Sequence, residues 1–164
     1  MSSTLDIGTA DMVAPYGVNP VSGLPYPPHQ TQLKIFEWVQ AQLNHPRSSG
    51  VPVLYVQHGV RSGGTRGILD SVIRRLLHEP GIRVLIGRKD FKDIRSSVME
   101  TFFGIVPSQL VVHRDQQEHR YELEGDFGKA TVFFRELKDI GGLGSTEFGC
   151  ISVHEAHEID ESCY

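Results

Sequence analysis

A chain of 164 residues, 39% hydrophobic and 22% charged, is long enough for one α/β core and too ordinary in composition for a disordered or fibrous protein. Its net charge of −4 excludes wholesale wrapping of nucleic acid, which calls for a basic excess, though not a local basic patch. Two cysteines are too few for a disulfide framework, no leader-like segment opens the sequence, and no apolar run approaches the roughly 18 to 20 residues that span a bilayer, so a cytoplasmic chain with no membrane partner is expected.

Residues 1–24 mix Ser, Thr, Gly, Pro and Ala without a period and read as a flexible N-terminal arm; residues 25–164 read as one domain. After the stiff Pro25–Pro28, the spacing of Leu33, Ile35, Phe36, Val39 and Leu43 predicts an amphipathic helix from about Gln30 to Asn44. Val51–Val56 is a continuous β-rich run of the kind buried on both faces of a parallel sheet. A glycine-rich turn follows. Ile68, Leu69, Val72, Ile73, Leu76 and Leu77 then mark a helical face, stopped by Glu79-Pro80-Gly81.

Arg83–Gly87 predicts a second short strand, so that strand, helix and strand make one right-handed βαβ unit. Phe91, Ile94, Val98 and Phe102 predict a helix from about Asp90 to Phe103, with Gly104 as its stop. From Gln109 the period changes to two. Leu110–His113 predicts a strand, and Arg120–Glu124 and Ala130–Glu136 predict an antiparallel hairpin across Gly125–Gly128. A glycine-rich loop, Gly141–Gly144, leads to a third buried strand, Phe148–Val153, ending in His154-Glu-Ala-His-Glu158. The expected fold is a three-layer α/β P-loop core with a mainly parallel sheet and a short antiparallel hairpin.

Strand, glycine turn and helix is the order of a phosphate cradle, whose pattern G-x-x-x-x-G-K-[ST] uses backbone N–H groups, a lysine and a hydroxyl that reaches Mg²⁺. With Thr65 as the hydroxyl, Gly63 falls on the last glycine, while Gly64 stands at the lysine and His58 at the first glycine. The frame is present without its main cation.

The order of these pieces resembles the N-terminal ATPase half of phage large terminases, the motors that package DNA into proheads. Pro28–Ile35 looks like that family's adenine-side segment, in which Gln32 would read the base. Gly59-Val-Arg-Ser-Gly63 looks like its Walker A, with the early arginine as Arg61; Val84–Arg95 is similar to its second-strand block. Phe134–Lys138 and Ile151–Glu158 look like its hairpin and Walker B, with His154 where the magnesium-side Asp would be. The similarity covers about residues 25–158.

The resemblance implies ATP and Mg²⁺ as cofactors, held by Gln32, Gly59, Arg61, Ser62, Gly63, Gly64, Thr65 and Arg66, with the Thr65 hydroxyl on the metal and Glu155 and Arg61 as catalytic groups. It implies double-stranded DNA, portal and other terminase subunits as partners, a homo-oligomeric ring, and the host cytoplasm as location. The family's coupling motif and nuclease half would lie outside this sequence.

A helix N-terminus can hold a polyanion without lysine. Losing one preplaced donor to the γ-phosphoryl group commonly costs about 10²- to 10³-fold in rate, and a neutral imidazole suits hard Mg²⁺ poorly. Hydrolysis is therefore expected to be impaired even though Glu155 could still orient water.

Two other readings compete: a non-catalytic nucleotide-binding or subunit-interaction module, and a small zinc protein using Cys150, His154, His157 and Cys163. Arg88, Lys89, Lys92 and Arg95 form a local basic group, readable as a solvated helix face or as a phosphate contact.

Overall fold

The computed structural model describes residues 30–43, 53–57, 63–138 and 146–159. Its contacts gather the chain into two compact units, Met1–Ser71 and Val72–Tyr164, and a single helix contributes to both.

In the first unit, α1 (Gln30–Leu43) buries Ile35 and Phe36 of the predicted stripe, leaves Leu33 and Val39 half-buried, and buries Gln32, which lay outside that stripe. The second helix, α2 (Gly64–His78), begins at the glycine turn. A Cβ at Gly67 would lie 3.0 Å from Gln32 Cγ and 3.4 Å from Ile35 Cδ1, so the two helices approach at a residue without a side chain.

The strand expected over Val51–Val56 is not found in its described part. Residues 53–57 carry no strand, and Val53 and Tyr55 are 82% and 76% exposed. The physical reason is that Val, Leu and Tyr favour a pleated surface only where neighbours supply a ladder. All described strands belong to the second unit.

In that unit α2 continues with Val72, Ile73 and Leu76 buried. It ends as expected: Gly81 takes a left-handed φ of 78° and donates its N–H to Lys129 O at 2.7 Å. The strands β1 (Arg83–Arg88), β2 (Val111–Asp115), β3 (Arg120–Gly125), β4 (Gly128–Glu136) and β5 (Cys150–Val153) form one sheet in the order β2-β3-β4-β1-β5. β4 and β5 flank β1 in parallel, and β2, β3 and β4 pair antiparallel.

β1 and β4 match their residue patterns. β1 buries four consecutive residues, Val84–Gly87, as a strand covered on both faces does. β4 instead alternates, burying Ala130, Val132 and Phe134. Its hairpin with β3 closes at Gly125 opposite Gly128, where a Cβ on Gly125 would meet Leu77 O at 2.7 Å.

Between β1 and β2 runs one helical stretch: α3 (Phe91–Asp93), a π-helical segment (Ile94–Met99) and α4 (Glu100–Ile105). It passes the expected stop at Gly104 and ends at Val106, whose ψ of 121° is extended. Pro107 follows, and a residue before proline is pushed out of the helical region. From this stretch Ile94, Val98 and Phe102 are buried, and the rings of Phe102 and Phe103 meet Phe134 and Tyr121 edge-on or tilted, with centroids 4.8 to 6.0 Å apart.

Candidate functional site

Gly63, the described residue just before Gly64, lies directly at the start of α2. Gly63 has φ +74°, a backbone state open mainly to glycine, and its carbonyl accepts the first helical bond from Gly67 N at 2.9 Å. The same carbonyl accepts a bond from Gln32 Nε2 at 3.1 Å. Any Cβ on Gly63 would stand 2.6 Å from that nitrogen. Glycine is thus required at Gly63 both for its φ and for the close approach of Gln32.

First-turn amides of an α-helix lack intrahelical acceptors and face the positive end of its dipole. In α2 the buried Gly64 and half-buried Thr65 and Arg66 occupy that turn, which contains no acidic side chain, while Arg75 and His78 occupy the last. The end is therefore suited to an anion. Gln32, expected to read a base, is buried in the first unit with its amide on Gly63. Gly59, Arg61 and Ser62 lie outside the described residues, as do the N-terminal arm, Gly141–Gly144 and Cys163.

The second unit gathers its polar side chains where the parallel strands β1, β4 and β5 end together. In open α/β sheets the carboxyl ends of the strands are the usual ligand edge. His154 N donates to Gly87 O at 2.8 Å and Leu137 N to Arg88 O at 2.9 Å, which aligns the three exits. The His154 ring is buried, its Nε2 3.2 Å from Ser152 Oγ. Glu155 follows with φ 53° and ψ 50°, the left-handed region, at a cost of about 1–2 kcal/mol for a residue with a Cβ. Such a residue persists only where its surroundings hold it. Its exposed carboxylate has Oε2 3.6 Å from His157 Nδ1.

A fork of hydrogen bonds backs this turn. Arg88, the last residue of β1, donates from Nε to Glu158 Oε2 at 3.2 Å and from Nη2 to Glu158 Oε1 at 3.1 Å. Its Nη1 lies 3.4 Å from Ser97 Oγ in the π-helical segment. Nearby, Lys138 pairs with Asp90 and lies 3.5 Å from Glu136. Arg88 is therefore not part of a solvated basic face, whereas Lys92 and Arg95 are exposed. Glu158 and its pairing were missed in the sequence; the only local signal is an acidic residue three positions after Glu155.

The guanidinium beside Glu158 holds that carboxyl below the usual carboxylate range. A depressed folded-state pKa contributes stability above the unfolded value, about 4.3, that is lost as pH falls through the folded one. Urea midpoints measured between about pH 6 and about pH 3 should fall less steeply for Glu158→Gln than for the natural chain. An identical slope would mean the pair contributes nothing to folding.

Among the described residues no group of three His, Cys, Asp or Glu side chains is placed to hold a metal ion. Burial raises the Cys150 thiol pKa, against the nearby Arg75. Also among the described residues, no helix is long and apolar enough to cross a membrane.

No protein-family model and no curated protein matches the chain. Solved structures do match, and they define the class of fold. Both are of the large terminase from the thermophilic bacteriophage D6E. One crystal form superposes with a TM-score of 0.69 at 15% identity, over 84% of this chain and 34% of that one. A second gives 0.63 at 13% identity, over 81% and 32%. The chain thus spans about a third of the length of these structures. At such identity the likeness is one of fold: this mixed α/β chain resembles part of a phage large terminase, as its sequence does.

Proposed function

We propose that the chain is the ATPase portion of a phage DNA-packaging terminase large subunit, degenerate in its phosphate and metal contacts, which binds ATP with Mg²⁺ and turns it over poorly. The observation that carries this is Gly63, left-handed and sited directly at the start of α2 on a chain with a terminase-like fold. A turn of that shape followed by Thr65 supplies backbone donors and a metal-side hydroxyl. Gly64 removes the lysine, and His154 puts an imidazole where oxygen would suit Mg²⁺.

In this reading Glu155 orients the attacking water, Arg61 and Arg66 supply cations toward phosphate, and Gln32 supports the turn from behind Gly63. Double-stranded DNA, the portal and further terminase subunits in a ring are the corresponding partners.

Calorimetry with a non-hydrolysable ATP analogue and Mg²⁺ tests the claim. Binding is expected, and Arg61→Ala should weaken it by roughly 10-fold or more, the loss of one charge-assisted contact. An unchanged dissociation constant would reject that role for Arg61, and no binding by the natural chain would reject the proposal. Binding without any measurable turnover would favour a non-catalytic nucleotide-binding or subunit-interaction module instead, for which Gly64 and His154 speak.

A further inference from the structure

We propose that Arg88 is a positioning residue for Glu155: its fork on Glu158 holds the turn after β5 so that Glu155 keeps its left-handed backbone and exposed carboxylate. The inference deepens the reading of Glu155 as the water-orienting group and rests on it for its purpose, though not for its geometry.

Glu155 sits between two anchors, and consecutive residues of β1 provide both. On one side, His154 N is bonded to Gly87 O at 2.8 Å. On the other, a single 3₁₀ turn, Ala156–Glu158, is closed by Glu158 N donating to Glu155 O at 2.9 Å, and the Glu158 side chain is gripped by Arg88. A left-handed residue with a Cβ relaxes if either neighbour is released. The second anchor is a side-chain contact and can be removed by substitution.

The grip is a planar fork on both carboxylate oxygens, a geometry that an ammonium group cannot reproduce. Arg88 is itself steadied from the far side, because Ser97 Oγ, 3.4 Å from Nη1, donates to Asp93 O at 2.6 Å. Ser97 stands in the π-helical segment, a geometry found frequently at functional sites. Strand, bulged helix and turn thereby converge on one guanidinium, and they do so next to the strained residue.

NMR on the full chain tests this through the intraresidue amide-to-Hα cross-peak, which is strongest for a residue with positive φ. The natural chain should show that signature at Glu155 and at His119, the other described non-glycine residue with positive φ. Arg88→Gln should abolish it at Glu155 and leave it at His119, which serves as an internal control for folding. Arg88→Lys should weaken it in part, because charge remains and the fork is lost. Glu158→Gln, made at a half-exposed side chain, should repeat the Arg88→Gln result without touching β1. An unaltered Glu155 signature in Arg88→Gln or in Glu158→Gln, with His119 intact, would overturn the inference. Absence of nucleotide binding by the natural chain would refute the functional reading alone and leave the Glu155 geometry to be judged by these spectra.

Discussion

Phe134→Ala is expected to lower the unfolding free energy by about 3–5 kcal/mol, the range for truncating a fully buried aromatic ring. Phe134 is fully buried, and its ring meets Phe102 at 5.3 Å and 84° and Tyr121 at 5.8 Å and 78°. Its strand partner Ile86 is also fully buried. The lost ring leaves a space bordered by Tyr121 of β3 and by Phe102 and Phe103 of α4, and the strands beside it cannot close on it without disturbing their ladders. Urea unfolding followed by tryptophan-independent circular dichroism reads the change, and a loss below about 1 kcal/mol would show that the aromatic cluster is not the core of the second unit. Phe134→Leu should cost less, since most of the volume stays.

Gly64→Lys combined with His154→Asp is expected to raise ATP turnover by about 10²- to 10³-fold over the natural chain, the scale on which one preplaced donor acts. The lysine returns a cation for charge building on the γ-phosphoryl group, and the carboxylate returns a hard oxygen for the magnesium shell. Both positions are buried, so each new charge must reach a ligand rather than stay in the core. Lysine is a better helix former than glycine in the first turn of α2. Steady-state phosphate release measures the gain. If the double variant is no faster than the natural chain, these two side chains are not what limits turnover.

Much of the architecture was legible in the residues because it depends on near neighbours. The period of two over Arg120–Glu124 and Ala130–Glu136 gave a hairpin closing where Gly125 and Gly128 stand. The short strand expected at Arg83–Gly87 is β1, and the last glycine of the turn falls directly before α2, whereas the run expected to be covered on both faces, Val51–Val56, carries no strand in its described part. The contacts at the candidate site were not legible, since they join distant positions: Gln32 to Gly63 across 31 residues, and Arg88 to Glu158 across 70. Arg88 read as one more member of a basic run until the strand exit brought a carboxylate to its fork.

The sequence by itself determined where helices and hairpin form and that a glycine turn starts α2, because periodicity and φ preferences are properties of a residue and its immediate neighbours. Tertiary structure alone decided that residues 53–57 carry no strand, that Gln32 faces the turn, and that Glu155 is held left-handed beside a clamped Glu158. Ladder partners and ion-pair geometry exist only once chain segments far apart in sequence have been brought together, and no local pattern encodes which ones will meet.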